Sequence, residues 1–322
     1  MTILVTGGAG YIGAHVVRLL QQRGERVVVV DNLSTGRADR IGDATLIELD
    51  VSEPGAVDVL KQAFAEHQVT GVIHFAAQKQ VGESVAKPAW YYQQNMGGMT
   101  NLITAMEQSG VDRLVFSSSA AVYGEAEGGV LSEDANTKPI NPYGQTKLIG
   151  EWLAAAANRA WGLKQASLRY FNVAGSGWDD LGDPAVLNLV PMVFERIEDG
   201  RRPAVFGTDY PTPDGTCIRD YVHVLDLAET HLAALDHLDK EGGSHVFNIG
   251  TGIGASVLDV LGTIGKVTGR ELDISYEDRR PGDPPELRAA TDKIQAELGW
   301  QAKNGLPEII ESAWSAWRAA RD

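Results

Sequence analysis

The stretch Gly7-Gly8-Ala9-Gly10-Tyr11-Ile12-Gly13 follows a short apolar run, Ile3-Leu4-Val5, and precedes an amphipathic helical pattern. Gly8, Gly10 and Gly13 satisfy the spacing G-x-G-x-x-G. Because glycine has no side chain, the main chain can approach a pyrophosphate closely, and the N-terminus of the following helix presents amide N–H groups to it. The stretch therefore predicts a strand, a tight turn and a helix that together bind a dinucleotide.

Short apolar runs alternate with helical patterns through the first half of the chain. Continuous apolar strands indicate a parallel sheet that is covered on both faces, and right-handed crossovers make it doubly wound. We therefore predict an α/β fold of the Rossmann type. The predicted strands are 2–6, 27–30, 46–50, 72–75, 114–116 and 166–169, and the predicted helices include 54–67, 88–109 and 142–160.

The second half of the chain has a different texture, because loops rich in Pro, Gly and Asp separate shorter helical patterns. It predicts a smaller α+β domain for binding a substrate. We place the dinucleotide-binding domain at 1–172 and most of the second domain at 173–322, and the chain can cross back into the first domain. The helices predicted here are 188–197, one that begins at Ser256, 291–298 and 306–318.

An acidic residue, Asp31, ends the second predicted strand 18 residues after Gly13. A carboxylate at this position can accept hydrogen bonds from the adenosine ribose, and it would repel a 2′-phosphate. The spacing therefore favours NAD over NADP. Asp50, at the end of the third predicted strand, is a further candidate for the adenosine end of the cofactor.

The composition excludes several classes of partner. The formal net charge of −15 argues against nucleic acids and anionic membranes, which require a basic face. With a single cysteine, Cys217, no disulfide can form within the chain. We expect no signal peptide and no membrane span, and therefore a soluble cytoplasmic protein. The seven histidines form no HxxxH pattern, so no metal site is expected.

Tyr143 and Lys147 are four residues apart in a predicted helix, so that their side chains share one face. A free phenol has a pKa of about 10, and a nearby ammonium group favours the phenolate and lowers that pKa. The pair is typical of a general base with its tuning cation. Ser117-Ser118-Ser119 follows a predicted core strand, where open α/β sheets bind their ligands. We expect Ser119 to hydrogen-bond the oxygen that Tyr143 deprotonates.

Longer motifs surround these residues through nearly the whole chain. They are GGAGYIG at 7–13, DNL at 31–33, HFAAQKQVGES at 74–84, SSSAAVYG at 117–124, NPYGQTK at 141–147, RYFNVAG at 169–175, FGTDYPTPDGT at 206–216, IRDYVHVLDLA at 218–228 and RRPGD at 279–283. With them the chain resembles the extended short-chain dehydrogenase/reductase family. Within that family it is most similar to the branch that epimerises UDP-hexoses at C4, to which the 206–228 block is specific.

The resemblance implies a reversible epimerisation through a 4-keto sugar, in which NAD takes the C4 hydride and returns it to the opposite face. It assigns the base to Tyr143, an assisting hydroxyl to Ser119, and contact with the nicotinamide ribose to Lys147. It also implies a homodimer, which pairs through the helices near 88–109 and 142–160. The implied NAD-binding residues are Gly7, Gly8, Gly10, Tyr11, Ile12, Gly13, Asp31, Asn32, Asp50, Val51, Phe75, Ala76, Ala77, Lys79, Asn95, Ser117, Tyr143, Lys147 and Tyr170. The implied UDP-sugar residues are Ser119, Tyr143, Phe171, Asn172, Asn188, Leu189, Phe206, Arg219, Arg280, Asp283 and Leu287.

Leu287 departs from some epimerases of this branch, which place a bulky tyrosine near the sugar 2-position. Because leucine is shorter, we hypothesise that UDP-N-acetylglucosamine and UDP-N-acetylgalactosamine also interconvert. The alternative is that Leu287 packs in the core and the main chain closes the space.

Three other functions are open to a chain of this kind. Nucleotide-sugar dehydratases and decarboxylases place acidic residues beside the catalytic serine or threonine, whereas Ala120 and Ala121 stand there in this chain. Another 4-epimerase, for example one that acts on UDP-glucuronate, would need additional polar groups near C6. A protein that only senses NAD would be expected to lose Tyr143 or Lys147, and both are present.

Overall fold

The computed structural model describes residues 1–124, 129–280 and 283–321. The strands are β1 (Thr2–Thr6), β2 (Arg26–Asp31), β3 (Thr45–Glu48), β4 (Gly71–His74), β5 (Arg113–Ser117), β6 (Val130–Leu131), β7 (Lys164–Tyr170), β8 (Asn172–Ala174), β9 (Ala204–Phe206), β10 (Ile218–His223), β11 (Ser244–Ile249), β12 (Gly254–Ser256), β13 (Ser275–Glu277) and β14 (Glu286–Ala289).

The helices are α1 (Tyr11–Gln22), α2 (Ala56–His67), α3 (Val81–Ala86), α4 (Pro88–Tyr91), α5 (Gly97–Ser109), α6 (Pro142–Trp161), α7 (Leu189–Glu198), α8 (Val224–Glu241), α9 (Val257–Thr268), α10 (Asp292–Leu298) and α11 (Leu306–Ala319). In the part of the chain that the structure describes, none of these helices is both long and apolar enough to cross a lipid bilayer.

The chain forms two compact units. Unit 1 comprises Met1–Gly124, Thr137–Arg169 and Ala228–Phe247, and unit 2 comprises Glu125–Asn136, Tyr170–Leu227 and Asn248–Asp322. The chain therefore passes from one unit to the other several times.

Unit 1 is built on a seven-stranded sheet with the order β11-β7-β5-β4-β1-β2-β3. The pairs from β7 through β3 are all parallel. This order, which runs outward in both directions from β1, is the doubly wound arrangement expected from the alternating pattern. Strands β1, β4 and β5 are buried throughout, whereas the edge strand β3 is partly exposed. Leu4, Val28, Val72 and Leu114 pack with helices α2 and α5 in one apolar core. The carboxyl ends of β1, β4 and β5 lie side by side.

Unit 2 contains a mixed sheet with the order β12-β10-β14-β6, and β8 also pairs with β10. A separate two-stranded sheet joins β13 to β9. Helices α7, α9 and α11 contribute to the core of this unit, with Val193, Val260 and Ile309 among its buried side chains. Unit 2 is therefore an α+β arrangement with a core of its own.

Two helices begin where their capping residues predict. Asn141 accepts a hydrogen bond from the Gly144 amide with its side chain at the start of α6. Ser256 and Asp259 form a reciprocal capping box at the start of α9. The segment predicted as one helix over 88–109 is instead interrupted by a π turn at Tyr92–Met96, between α4 and α5. Helix α8 has no counterpart in the sequence-based prediction.

Candidate active site

The glycine-rich turn connects β1 to α1 as the sequence predicts. Gly7 has a positive φ of +69°, which side-chain-bearing residues rarely adopt, and a Cβ there would lie 2.7 Å from the Ala76 nitrogen. A Cβ on Gly13 would lie 2.2 Å from the Gly7 carbonyl oxygen. Gly7 therefore lets the turn pack against the segment after β4, and Gly13 lets α1 pack directly onto the turn. The N-terminus of a twelve-residue helix faces the carboxyl edge of the sheet, where it can bind a pyrophosphate.

Asp31 lies at the end of β2 beside this turn. Its carboxylate accepts hydrogen bonds from the main-chain N–H groups of Ala9, at 3.0 Å, and Leu33, at 2.9 Å. Burial raises the pKa of Asp31, and the two N–H donors oppose that shift. The bond to Ala9 ties the carboxylate to the glycine turn itself. The residues present fit a dinucleotide, because an anion-binding helix start and a ribose-binding carboxylate adjoin.

The neighbouring loop residues are tied to one another. Asn32 donates a 3.1 Å hydrogen bond to Asp50, and Asp50 also accepts bonds from the main chain and hydroxyl of Ser52. The loop after β2 is thereby fixed to the loop after β3. Val51 is buried next to Asp50. The predicted adenosine-side residues therefore form one connected wall in unit 1.

The segment after β4 forms another part of this wall. Phe75, Ala76 and Ala77 are partly buried, and Lys79 is exposed. The Asn95 side chain accepts a hydrogen bond from the Gln78 N–H at 2.8 Å and donates to Thr146 Oγ1 at 3.0 Å. The Asn95 amide thus joins this segment to α6, a supporting role that the sequence alone does not reveal.

Tyr143 lies in the first turn of α6 and is buried. The helix starts close to the 3₁₀ turn Ala120–Val122, because a Cβ on Gly144 would lie 2.5 Å from the Ala121 carbonyl oxygen. Further along α6, a Cβ on Gly150 would lie 2.7 Å from the ring of Phe116 in β5. Small residues therefore bring the start of α6 against the end of β5.

Lys147 is 3% exposed, and it donates a 2.8 Å hydrogen bond to the main-chain carbonyl of Ser117. Its Nζ atom lies 5.9 Å from the centre of the Tyr143 ring and 5.1 Å from that of Phe116. Burial lowers the pKa of Lys147 to about 8, and the charge of Glu151 opposes that shift. A cation in this position can stabilise a phenolate on Tyr143.

The three serines at the end of β5 have separate contacts. The Ser117 hydroxyl lies 3.1 Å from Nε2 of His231 in α8. The Ser118 hydroxyl donates to the Glu151 carboxylate in α6. Ser119 accepts a 3.1 Å hydrogen bond from the Ala121 N–H, and thereby caps the 3₁₀ turn. The structure thus brings the strand end that carries Ser119 together with the helix that carries Tyr143 and Lys147.

The predicted UDP-sugar residues of unit 2 include a cluster on neighbouring strands. Arg219 in β10 and Leu287 in β14 are register partners in parallel strands, so that their side chains share one face. Arg219 also forms a 3.5 Å ion pair with Asp283. The carboxylate of the adjacent Asp220 accepts hydrogen bonds from main-chain N–H groups, among them that of Gly252 at 2.9 Å.

A second pair in unit 2 joins an aromatic ring to a cation. The guanidinium carbon of Arg280 lies 3.8 Å from the centre of the Phe206 ring. Pro281 and Gly282 of the same motif lie outside the described residues. Asn188 caps the start of α7 and donates to Asp183 at 3.0 Å, and Leu189 is the first residue of that helix. The other predicted residues of this unit, Tyr170, Phe171 and Asn172, follow one another from the end of β7 into β8.

Two histidines in unit 1 lie close together without any sequence motif. The rings of His237 and His245 are 4.7 Å apart, and Nε2 of His245 lies 2.7 Å from the Gly242 carbonyl oxygen. They come from α8 and β11, and only the chain reversal between these elements places them side by side. We assign no metal site to this pair.

In unit 1, a glycine-rich turn adjoins a strand-end carboxylate, and a serine, a tyrosine and a buried lysine gather at the same edge of the sheet. These features are those of a nucleotide-dependent enzyme of the Rossmann class. Residues 3–250 match the model of the NAD dependent epimerase/dehydratase family. The chain belongs to this family, and it is an enzyme.

Individual relatives cover almost the whole chain. The UDP-glucose 4-epimerase of Azospirillum brasilense is 47% identical over 320 residues, which are 97% of this chain and 91% of that protein. The crystal structure of UDP-glucose 4-epimerase from Brucella ovis in complex with NAD matches with a TM-score of 0.92 and 40% identity, over 97% of each chain. The UDP-Glc/GlcNAc 4-epimerase from Campylobacter jejuni matches with a TM-score of 0.86 and 38% identity, over 98% of this chain and 99% of that one.

Proposed function

We propose that this protein is a UDP-glucose 4-epimerase, which interconverts UDP-galactose and UDP-glucose with NAD held through the whole cycle. The observation that carries the proposal is the buried Lys147 ammonium group, which is bonded to the Ser117 carbonyl and lies beside Tyr143. The UDP-glucose 4-epimerases of Azospirillum and Brucella are similar to this chain over nearly its whole length, and we propose the reaction for which they are named.

NAD is held in unit 1 by the glycine turn and the strand ends around it. The N-terminus of α1 binds the pyrophosphate, and Asp31 binds the adenosine ribose. Asn32, Asp50 and Val51 line the adenosine side. NAD bound by these residues would supply the hydride acceptor, and in its reduced form the hydride donor, for C4 of the sugar.

The protein itself moves the proton. Tyr143, as the phenolate, takes the proton of the sugar 4-hydroxyl, and it returns that proton in the second half-reaction. Lys147 stabilises the phenolate and binds the nicotinamide ribose, and Ser119 hydrogen-bonds the same sugar oxygen. The hydroxyl and the phenolate thus bracket one oxygen atom, which becomes the carbonyl of the 4-keto sugar.

UDP is held by residues of unit 2. Arg219 and Arg280 provide the local positive charge that a diphosphate needs in a protein of net charge −15. Phe206 and Arg280 stack on each other, and Asp283 pairs with Arg219, so both guanidinium groups have defined positions. Phe171, Asn172, Asn188 and Leu189 complete the proposed contacts with the nucleotide-sugar.

A second substrate pair is supported by one observation. Leu287 is the register partner of Arg219 and is only partly buried, which favours a position beside the proposed sugar site over a position in a core. The Campylobacter relative is named for both glucose and N-acetylglucosamine forms of the substrate. We therefore include the UDP-N-acetylhexosamines among the substrates.

We propose a homodimer, and exposed apolar side chains on α3 and α6, two helices that pack against each other in unit 1, support it. Val85 on α3 is 62% exposed, and Trp152 on α6 is 59% exposed. A second copy of the chain that covers both side chains would remove their apolar surface from water. Sedimentation should give a dimer for the parent protein and a monomer for the variant Val85→Glu/Trp152→Glu, whereas a monomeric parent protein would contradict the interface.

The function is tested by incubating the purified protein with UDP-galactose and no added NAD. We expect UDP-glucose to appear until the two sugars reach equilibrium, because the cofactor remains bound through purification. If NADH and an oxidised sugar accumulate instead, the protein is a dehydrogenase. If NAD must be added in amounts equal to the product, the proposal of a self-contained cycle is wrong.

A further inference from the structure

A buried ion pair lies beneath the serine cluster in unit 1. Arg169 in β7 donates to the Glu151 carboxylate from Nη2 at 2.7 Å and from Nε at 3.0 Å. Glu151 is 5% exposed and Arg169 is 6% exposed. Neither residue is among the predicted site residues, and the proposed reaction does not use them directly.

The pair is bonded to the chain on both sides of Ser119. On one side, the Ser118 hydroxyl donates to Glu151. On the other side, Nη1 of Arg169 donates to the Tyr123 hydroxyl at 3.0 Å. Between these two ties the chain forms the 3₁₀ turn, in which Val122 N–H donates to the Ser119 carbonyl. The ion pair therefore holds both ends of the segment that presents Ser119.

Glu151 also connects this segment to the catalytic face of α6. It follows Tyr143 by eight residues and Lys147 by four, a spacing that places all three side chains on one side of the helix. A displacement of Glu151 would thus change the position of Ser119 relative to Tyr143. The same carboxylate raises the pKa of Lys147 against the effect of burial.

Stability alone does not account for a buried pair of this kind. Removing two charges from water is costly, and well-packed apolar residues often replace such a pair without loss of stability. Burial opposes the charge on Arg169, but the hydrogen bonds and charge of Glu151 raise the pKa of Arg169, so that its guanidinium group stays charged. What apolar residues cannot replace is the set of directional bonds to Ser118 and Tyr123.

We propose that Glu151 and Arg169 are positioning residues, which set the distance of Ser119 from Tyr143 and Lys147 by fixing both ends of the 118–123 segment. The expected effect on kcat rests on the proposed function. The expected effect on hydrogen exchange in the 118–123 segment does not depend on that function. A group that must lie within hydrogen-bonding distance of the reacting oxygen loses its effect on small displacement.

The test is the variant Glu151→Gln, which keeps the shape of the side chain and removes its charge. We expect kcat to fall by about tenfold or more while KM for UDP-galactose stays within about twofold, because the UDP contacts are in unit 2. Hydrogen exchange in a peptide that covers 117–124 should become about fivefold faster or more, because the turn loses its ties.

Asp239→Asn is the matched control. Arg113 at the start of β5 pairs with Asp239, and that ion pair lies at the opposite end of the strand that leads into Ser117. Asp239→Asn should therefore lower the melting temperature but leave kcat and the exchange of 117–124 unchanged. Ser118→Ala, which removes one tie and leaves no buried charge unpaired, should show both effects of Glu151→Gln in weaker form.

The outcomes separate the two proposals. If kcat and exchange in Glu151→Gln and Ser118→Ala match the parent protein, positioning by this pair is wrong. If kcat falls and exchange in 117–124 is unchanged, the pair does not act through this segment, and the proposal is also wrong. If the parent protein converts no UDP-galactose, the proposed function fails, while the exchange measurements still decide whether the pair orders the segment.

Discussion

Lys147 donates a 2.8 Å hydrogen bond to the main-chain carbonyl of Ser117, and this bond joins α6 to the carboxyl end of β5. It is made by an ammonium group that is almost completely shielded from water. The bond fixes the cation near the ring of Tyr143, four residues earlier on the same helix. A costly buried charge is thus placed where it can favour the phenolate of a general base.

Replacement of Tyr143 by phenylalanine should lower kcat by about 10²- to 10⁴-fold, because the ring stays and only the proton-transferring hydroxyl is lost. The matched control is Tyr92→Phe. Tyr92 donates a 2.8 Å hydrogen bond to Gln145 on the same helix, and its loss should change kcat by less than about threefold. Steady-state kinetics with UDP-galactose compares the two variants. Full turnover by Tyr143→Phe would overturn the assignment of the base.

Lys147→Met should abolish turnover and yet stabilise the fold at neutral pH. Burial lowers the pKa of Lys147 to about 8. Below that pH the ammonium group is charged in both states, and the charge costs more free energy in the folded protein than in the solvated unfolded chain. We expect a gain on the order of 2 kcal/mol in the free energy of unfolding at pH 7, reduced by the lost bond to Ser117.

The gain from Lys147→Met should shrink as pH rises from 8 toward 10.5, the ordinary pKa of lysine, because the folded protein has then already released the proton. Urea denaturation at pH 7 and pH 9.5 measures it. Lys164→Met is the control, since Lys164 forms a partly exposed ion pair with Asp112 and should change stability by less than about 1 kcal/mol. A Lys147→Met protein that is less stable than the parent at pH 7 would show that the buried charge does not destabilise the fold.

His74 should make the fold sensitive to acid. It is buried at the end of β4 and lies 2.6 Å from the Thr6 hydroxyl. Burial, and secondarily the charge of Lys147, lowers the pKa of His74 to about 3. Between pH 6.5, the ordinary pKa of histidine, and about pH 3, the unfolded chain therefore binds a proton at His74 that the folded protein does not bind. The free energy of unfolding therefore decreases as the pH is lowered through this range.

This single group accounts for a loss of about 1.4 kcal/mol per pH unit in that range. His74→Gln should give a correspondingly shallower dependence between pH 6 and 4, as measured by urea midpoints. His67→Gln, at the partly exposed end of α2, serves as the control and should keep the parent slope. Equal slopes for His74→Gln and the parent protein would show that His74 is not the group responsible.

Leu287→Tyr should narrow the substrate range. A tyrosine opposite Arg219 adds bulk on the face of β14 that borders the proposed sugar site. We expect kcat/KM for UDP-N-acetylgalactosamine to fall by about tenfold or more, with a change below about threefold for UDP-galactose. Leu287→Met, of similar volume, should leave the ratio of the two substrates unaltered. Negligible turnover of the acetamido pair by the parent protein would refute the hypothesis directly.

The sequence predicted six of the seven strands in the sheet of unit 1, because a short apolar run marks each of them. Strand β11 was missed, because His245 and Asn248 interrupt its apolar residues. Helix α8 was missed because its buried face carries Asp226, Thr230 and His231, which interrupt the apolar spacing on which such predictions depend. The π turn before α5 was missed for a related reason. A helix with one residue inserted keeps nearly the same pattern.

In the candidate site, too, the sequence predicts the residues that follow a local spacing and misses the contacts between residues far apart in the chain. Tyr143, Lys147 and the glycines follow local spacing, so the sequence predicts them. The bonds of Ser118 to Glu151 and of Ser117 to His231 join residues 33 and 114 positions apart, and no local pattern marks them. The Asp220 carboxylate, which accepts a hydrogen bond from the Gly252 N–H 32 positions later, is a further contact that no local pattern marks.

If oxidation and reduction at C4 occur in one cycle on one bound cofactor, a deuterium atom at that carbon remains in the product. The purified protein is given UDP-galactose labelled with deuterium at C4, with no added NAD, and the product is examined by mass spectrometry and NMR. We expect UDP-glucose that keeps the label at C4, because the hydride never leaves the site. Product in which C4 carries hydrogen from solvent, or a label that accumulates in free NADH, would contradict it.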